Sequence, residues 1–457
     1  MFTFKDCLAK IPIFRFLYDN LQLSSSLGRG ELLDSFFVTA PETLEKCFNE
    51  IENVLVWKKN NPNCFFKIKQ LISTVQDIFG TISRLINNEA LDDIELFEIK
   101  KSAMLMQELN QVLSSSSFSL FQLNDVREVI KILDPEKRLL PHFYIYSIYS
   151  KEIATLRNKS NFTSSQEEKE DLQWQIVKLE NKIREKLVNS ISPYASSLAQ
   201  NLKTIAQLDL LFAKVELAIE WNCCKPEVSA HKTAYAELVH PVVAARLKNE
   251  NAVFQPVDIE LKPEPCLITG ANMTGKSIFL RSIAFSQWLF QFGFYVPARK
   301  ASIIPVEKIH FIAGDSDTEK TGLSSFVNEI FHIQQILQEV KEGRRMLVLA
   351  DEFARTTNPK EGNAFVAAFL EMMNQHKVIS LITTHYSNVE GNFRRLRVKG
   401  IQWNMMEHIR TNPKELNKYI NYQLEDCNEK TAPEEAVKIA EILSLDADFI
   451  SLVKKYL

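Results

Sequence analysis

The sequence predicts an all-helical N-terminal domain followed by a three-layer α/β C-terminal domain, and three observations carry that expectation. From residue 1 to about 225, apolar residues recur at three and four spacing with few strand-like alternations. Around Cys223-Cys224-Lys225-Pro226 the pattern changes, and short apolar runs begin to alternate with helical ones. Three of those runs, Cys266 to Thr269, Met346 to Ala350 and Val378 to Thr383, are partly β-branched and lead directly into polar clusters. Buried parallel strands joined by crossover helices have that appearance. The expected domains are therefore residues 1–225 and 226–457.

Within the first domain the most regular stretch places Leu172, Ile176, Leu179, Ile183 and Leu187 on one face, surrounded by charged residues and opened by Thr163-Ser164-Ser165. It predicts a long amphipathic helix. An ordinary core-facing helix and a lever or coiled-coil arm both fit it. Within the second domain the clearest helical pattern is Phe326, Ile330, Ile333, Leu337 and Val340.

Composition narrows the class. With 46% hydrophobic and 24% charged residues, the chain has the makeup of an ordinary folded protein, so little disorder is expected. A formal net charge of −3 leaves no global basic footprint for nucleic acid, so DNA binding must rest on a local patch. Seven cysteines occur without a C-x-x-C pair or zinc spacing, which reads as a reduced, cytoplasmic protein without structural metal. The start, Met1-Phe2-Thr3-Phe4-Lys5-Asp6, lacks the features of a signal peptide, and no run of 18 apolar residues predicts a membrane span.

The segment Gly270-Ala271-Asn272-Met273-Thr274-Gly275-Lys276-Ser277 fits G-x-x-x-x-G-K-[ST], follows a predicted strand and opens a helix running through Leu280 and Ile283 toward Phe290. Glycine at both ends lets backbone N–H groups turn inward around a β-phosphate, and the helix N-terminus adds partial positive charge. Lys276 is placed to reach the β- and γ-phosphates, and the Ser277 hydroxyl to ligate Mg2+. A second carboxylate is needed at the end of a neighbouring strand, and Met346 to Ala350 supplies that strand before Asp351-Glu352. Asp351 is expected to hold Mg2+ through water, and Glu352 to polarise the attacking water. His385 ends the third run on the same edge of the sheet, where ligands collect in open α/β folds, and is read as a γ-phosphate contact. The other reading is a strand-end histidine bonded to backbone.

In order and wording these motifs resemble the MutS family of DNA mismatch repair ATPases. Thr269 to Ser277, TGANMTGKS, is similar to that family's TGPNMGGKS. Tyr295-Val296-Pro297-Ala298 resembles its YVPA segment, and His240-Pro241-Val242-Val243 its HPVV. Gly314-Asp315-Ser316-Asp317 and Gly322-Leu323-Ser324-Ser325-Phe326 resemble GASDD and GRSTF, which precede the signature helix. Asp351 to Thr357 resembles DEIGRGT, and Thr384-His385-Tyr386 resembles THY. Departures from the pattern are Ala271 for Pro, Thr274 for Gly, and Ala354 and Thr356 for the two glycines flanking Arg355. None removes a ligand, but each lost glycine stiffens its loop.

The resemblance implies an α/β P-loop NTPase of the ABC-like, MutS type that binds ATP and Mg2+, preceded by an all-α core and lever domain. It implies a dimer, read here as a homodimer, in which Ser324 at a helix N-terminus reaches the γ-phosphate bound by the other subunit. A plain helix cap is the alternative for Ser324. Phe254 matches the position whose ring stacks on adenine, with core packing as its alternative. Leu27-Gly28-Arg29-Gly30-Glu31-Leu32-Leu33 resembles the start of the family's helical core, and Leu208-Asp209-Leu210-Leu211-Phe212-Ala213 its returning lever helix. The mismatch-reading and connector domains have no room ahead of that core, and about 30 residues between Arg138 and Glu167 leave a reduced or absent clamp. Two readings follow: an ATPase that binds DNA by backbone or structure without reading mismatches, or one that acts on a protein partner. Lys58-Lys59 and Arg394-Arg395-Arg397-Lys399 are the candidate DNA contacts, with a solvated surface as the other reading of each.

Overall fold

Prolines and capping side chains set the helix starts of the N-terminal half. Pro12, Pro41 and Pro62 each open a helix, where a missing N–H costs nothing. Thr3 with Asp6, and Asp92 with Glu95, form reciprocal capping boxes. In the computed structural model, which describes residues 2–138, 142–270, 274–312, 325–355, 357–386, 388–403, 419–427 and 436–456, the elements from Phe4 to Glu220 are helices. No helix among the described residues is long and apolar enough to cross a membrane.

The stretch read as a core helix or an arm is both, by halves. The helix Gln166–Ile191 buries Ile183, Leu187, Val188 and Ile191 near its C-terminus. Ahead of Ile183 it buries Ile176 alone, leaves Trp174 exposed, and packs against the helix Lys151–Phe162 with an Arg157–Glu180 ion pair at 2.8 Å. A short 3-10 turn then links it to the helix Ala195–Glu220, which is apolar nearly all round and runs through the core. On it, the Asp209 carboxylate accepts from the N–H groups of Ser24 and Ser25, at 2.9 and 2.8 Å, and from the Ser25 hydroxyl. Ser25 caps the helix Ser26–Asp34, and an added Cβ on Gly28 would collide with Asp209. The two stretches that resemble the family's core thus meet side by side.

Beyond residue 226 the strands are β1 (Glu227–Val228), β2 (Thr233–Leu238), β3 (Val257–Leu261), β4 (Pro265–Thr269), β5 (Lys300–Ile303), β6 (Lys308–Ile312), β7 (Met346–Ala350), β8 (Ile379–Thr383), β9 (Arg394–Ile401) and β10 (Ile420–Asp426). They form a four-stranded sheet in the order β1-β5-β2-β3 and a six-stranded sheet in the order β10-β9-β4-β8-β7-β6. In the larger sheet β10 is antiparallel to its neighbour and the others run parallel.

One expectation is corrected here. The strand ending at Asp351 does not lie beside β4, which precedes the expected phosphate loop: β8 sits between β4 and β7, pairing Leu267 with Ile382 on one side and Leu349 with Leu381 on the other. All three strands are apolar and buried on both faces, so local pattern does not distinguish which pair is adjacent.

Period-two alternation sorts the sheet into two cores. Cys266, Ile268, Leu347, Leu349 and Leu381 face the helix Lys276–Gln291, the small sheet and the helical half. Leu267, Val348, Ala350 and Ile382 face the helices Ser325–Lys341 and Pro359–Gln375. Every residue from Ser282 to Gln291 is buried, because that helix is covered by the N-terminal half as well as by the sheet. Phe14 meets Trp288 edge-on at 5.6 Å, and Gln291 donates to the carbonyls of Val38 and Val306. At the helix end the ammonium of Lys214 donates to the Phe292 carbonyl at 2.7 Å, a cation at the negative end of the helix dipole.

Candidate active site

The strands β4, β7 and β8 end on one edge of the sheet, and each delivers a polar residue there. Gly270 and Gly275 bound the loop after β4 with φ of +149° and +78°, values that side chains other than glycine rarely adopt. Gly275 is also crowded: an added Cβ would lie 3.1 Å from the Tyr422 ring. Directly after it the helix Lys276–Gln291 begins, so its free N–H groups face the loop. Lys276 is buried and its ammonium donates to the Gly270 carbonyl at 2.6 Å, poised across the mouth of the loop. Thr274, which stands where the resemblance has glycine, is buried, and its hydroxyl would lie 3.3 Å from a Cβ added on Gly270.

At the end of β7 the Asp351 carboxylate is buried and accepts from the Thr383 hydroxyl at 2.9 Å. The same hydroxyl accepts from the Glu352 N–H at 2.9 Å. Thr383 therefore fixes both carboxylate residues from the neighbouring strand, a role that the sequence reading missed because Thr383 looks like any β-branched strand residue. Glu352 and Ala354 have φ of +51° and +60°, so the turn that leaves β7 is left-handed twice without glycine. Glu352 also pairs with Arg355 at 2.8 Å, a residue the sequence singled out only as part of a motif.

Together these elements enclose a cleft of about 500 Å³ lined by Thr274, Gly275, Lys276, Ser277 and Ile278 on one side and Glu352, Arg355 and His385 on the other. His385 is exposed to it, with its ring 4.3 Å from that of Tyr386. Ser277 and Asp351 supply the hydroxyl and carboxylate oxygens that suit Mg2+, a cation usually held by one or two protein groups together with phosphate oxygens. The glycine-bounded loop, with its N–H groups at a helix start, suits a polyphosphate.

Three expected site residues, Asn272, Met273 and Ser324, lie outside the described residues, as do Ala271, Thr356 and the segment Gly314 to Asp317. Phe254 is half-buried and does not line the cleft. Its neighbours Gln255 and Pro256 are bonded to Asn421, Tyr422 and Gln423 of β10, whose Tyr422 ring packs against Gly275. The Phe254 segment is thus carried to the flank of the loop, without the ring entering the cleft.

The family described as MutS domain V matches residues 266–455. The chain is 34% identical over 209 residues to a DNA mismatch repair protein MutS from Alkaliphilus metalliredigens, covering 45% of this chain and 23% of that protein. It is 32% identical over 239 residues to the same-named protein of Thermus aquaticus, covering 51% and 28%. With an Endonuclease MutS2 from Pediococcus pentosaceus it shares 30% identity over 213 residues, covering 46% and 26%. The match thus spans about a quarter of the length of these curated relatives.

Proposed function

Because the chain belongs to the MutS family, we propose that it works as an ATPase, binding and hydrolysing ATP with Mg2+ in the cleft at the edge of the six-stranded sheet. The observation that carries this reading is the convergence of Lys276 and Ser277, Glu352, and His385 from three separate strand ends onto one cleft, with Asp351 buried next to Glu352 at the end of β7. The loop between Gly270 and Gly275 receives the phosphates with its N–H groups, and Lys276 exchanges the Gly270 carbonyl for β- and γ-phosphate oxygens. Ser277 and Asp351 would hold a magnesium ion, which would supply positive charge against the negative charge developing in phosphoryl transfer. Glu352, oriented through its own N–H by Thr383, takes a proton from the attacking water. His385 contacts the γ-phosphate from the far wall.

The test separates grip from chemistry. Lys276→Ala should lose ATP binding, whereas Glu352→Gln should bind ATP and hydrolyse it roughly 100- to 10,000-fold more slowly, the usual worth of a positioned base. Equal nucleotide affinity in the wild type and Lys276→Ala would sink the site.

In this reading the working unit is a homodimer, with Ser324 of each subunit completing the site of the other, and its target is DNA recognised by backbone or structure. A specific observation favours the second reading, a protein target. Four of the six candidate cationic contacts are engaged within the chain, among them Arg394 with Asp426, Arg397 with Glu425 and Arg395 with the Val389 carbonyl. Lys58 lies over the Phe65 ring and near Glu216. Cations already paired add little to phosphate affinity, which depends on releasing counterions from DNA. Salt-dependent DNA binding by the wild type would restore the first reading, and its absence at low salt with ATPase activity intact would establish the second.

A further inference from the structure

The turn that presents Glu352 is an unusual local structure. Two of its residues, Glu352 and Ala354, take left-handed φ values of +51° and +60° without being glycine or asparagine, and such conformations persist only where neighbours over-determine them. The neighbours are identifiable. On one side the Ala354 N–H donates to the Glu329 carboxylate at 3.0 Å. On the other the Tyr386 hydroxyl donates to the Ala354 carbonyl at 2.6 Å. The residue two positions from the hydrolytic carboxylate is therefore held at both its polar backbone atoms, by side chains from two different elements.

Glu329 is out of place as a structural residue. It sits on the helix Ser325–Lys341, partly buried beside the apolar core formed by Phe353, Ala354, Tyr386 and Val366. Burial pushes its carboxyl above the usual carboxylate range, with the Ala354 N–H pulling the other way. Burying an acid against an apolar layer costs free energy unless it is bonded, and the bond it makes is to the catalytic turn. Tyr386, in turn, reaches Ala354 only because Gly362 on the helix Pro359–Gln375 has no Cβ to block its hydroxyl.

We propose that Glu329 is a positioning residue for ATP hydrolysis: through Ala354 it fixes the turn that aims Glu352, so that the helix Ser325–Lys341 and the hydrolytic carboxylate shift together. The proposal rests on Glu352 being the base, as read above. It makes the helix, rather than the strand β7 alone, a determinant of the rate. Any movement of that helix reaches Glu352 through one backbone N–H. A displacement of the base by about 1 Å is enough to slow the chemical step by about 100-fold.

The experiment compares steady-state hydrolysis and direct ATP binding for the wild type, Glu329→Ala, Glu329→Gln, Tyr386→Phe and Glu352→Gln, with thermal unfolding of each. Glu329→Ala should lower kcat by about 10- to 100-fold while KM and ATP affinity stay within about twofold. Glu329→Gln keeps a carbonyl acceptor for the Ala354 N–H and should return kcat to within about threefold of the wild type. A purely structural role would lower the unfolding temperature and leave kcat of the folded enzyme unchanged. The proposal is overturned by unchanged kcat in Glu329→Ala, by a loss confined to KM, or by a Gln variant as slow as the Ala variant. Should Glu329→Ala fail to fold, Tyr386→Phe is read by the same criteria, since it removes only the hydroxyl that holds the carbonyl of the same residue, Ala354. Wild-type rates in Glu352→Gln with a slow Glu329→Ala would remove the base assignment and with it the proposal. Slow Glu352→Gln with wild-type rates in both Glu329→Ala and Tyr386→Phe would remove the role of Glu329 alone.

Discussion

Thr383 ties together two carboxylate residues that a sequence motif can only set side by side. Its hydroxyl donates to Asp351 and accepts from the Glu352 N–H, and it is fully buried. Thr383→Val keeps the shape and removes both bonds. It should cost about 1–3 kcal/mol in stability, the penalty for stranding buried polar groups, and lower kcat more than it raises KM for ATP. Unchanged kcat in a stably folded variant would mean that β7 alone orients the pair. A second residue sets a pH limit. His240 is buried near Arg281, and desolvation with that neighbouring charge lowers its pKa from 6.5 to about 4. The folded protein thus holds it neutral, so its contribution is complete above pH 6.5 and is lost as pH falls toward 4. The shift corresponds to at most about 3 kcal/mol. Denaturant midpoints measured from pH 7 to pH 4 should fall more steeply for the wild type than for His240→Gln. Parallel curves would show that His240 is protonated without cost.

Gly362 tests whether an element's own preference or its neighbour decides. Glycine inside a helix costs about 1 kcal/mol relative to alanine, so Gly362→Ala would stabilise an isolated helix Pro359–Gln375. Here the added methyl would collide with the Tyr386 hydroxyl, forcing a buried ring away from its bond to Ala354. Losing that bond and the ring's packing outweighs the gain, and the variant should be net destabilised by about 1–3 kcal/mol in chemical denaturation. A stabilised variant would mean that Tyr386 repacks freely. The same element shows what the sequence carries and what it does not. β4, β7 and β8 were legible almost to the residue, because buried parallel strands write continuous apolar runs. Their order was not, since inserting β8 between β4 and β7 is a long-range choice that leaves each run unchanged. The small sheet went unread because β1 is two residues long and β2 pairs with strands that come much later in the chain. In the candidate site, the proposed roles of Lys276, Ser277, Asp351, Glu352 and His385 come from spacing and strand ends. Those of Thr383, Glu329, Tyr386 and Gly362 do not, because their importance lies in contacts that no local pattern encodes.

At the scale of the whole molecule the open question is how many chains make a site. Lys276, Ser277, Asp351 and Glu352 come from one sheet edge, whereas the resemblance assigns Ser324 to the partner's nucleotide. Mixing inactive Lys276→Ala with inactive Ser324→Arg should restore part of the ATPase activity, because mixed dimers hold one site with both an intact loop and an intact Ser324. No recovery despite demonstrated subunit exchange would leave Ser324 as a helix cap, worth about 1 kcal/mol to stability and nothing to turnover. Within one chain, the helix Lys276–Gln291 already joins the two halves: it starts at the glycine-bounded loop after β4, ends beside the half-buried Lys214, and is covered on the way by Phe14 and the sheet. Seen as heredity rather than mechanics, that placement removes a freedom. A substitution at Gln291 must suit Val38 of the N-terminal half and Val306 of the C-terminal half at once, so neither half can drift, or be exchanged for a relative's, without the other following.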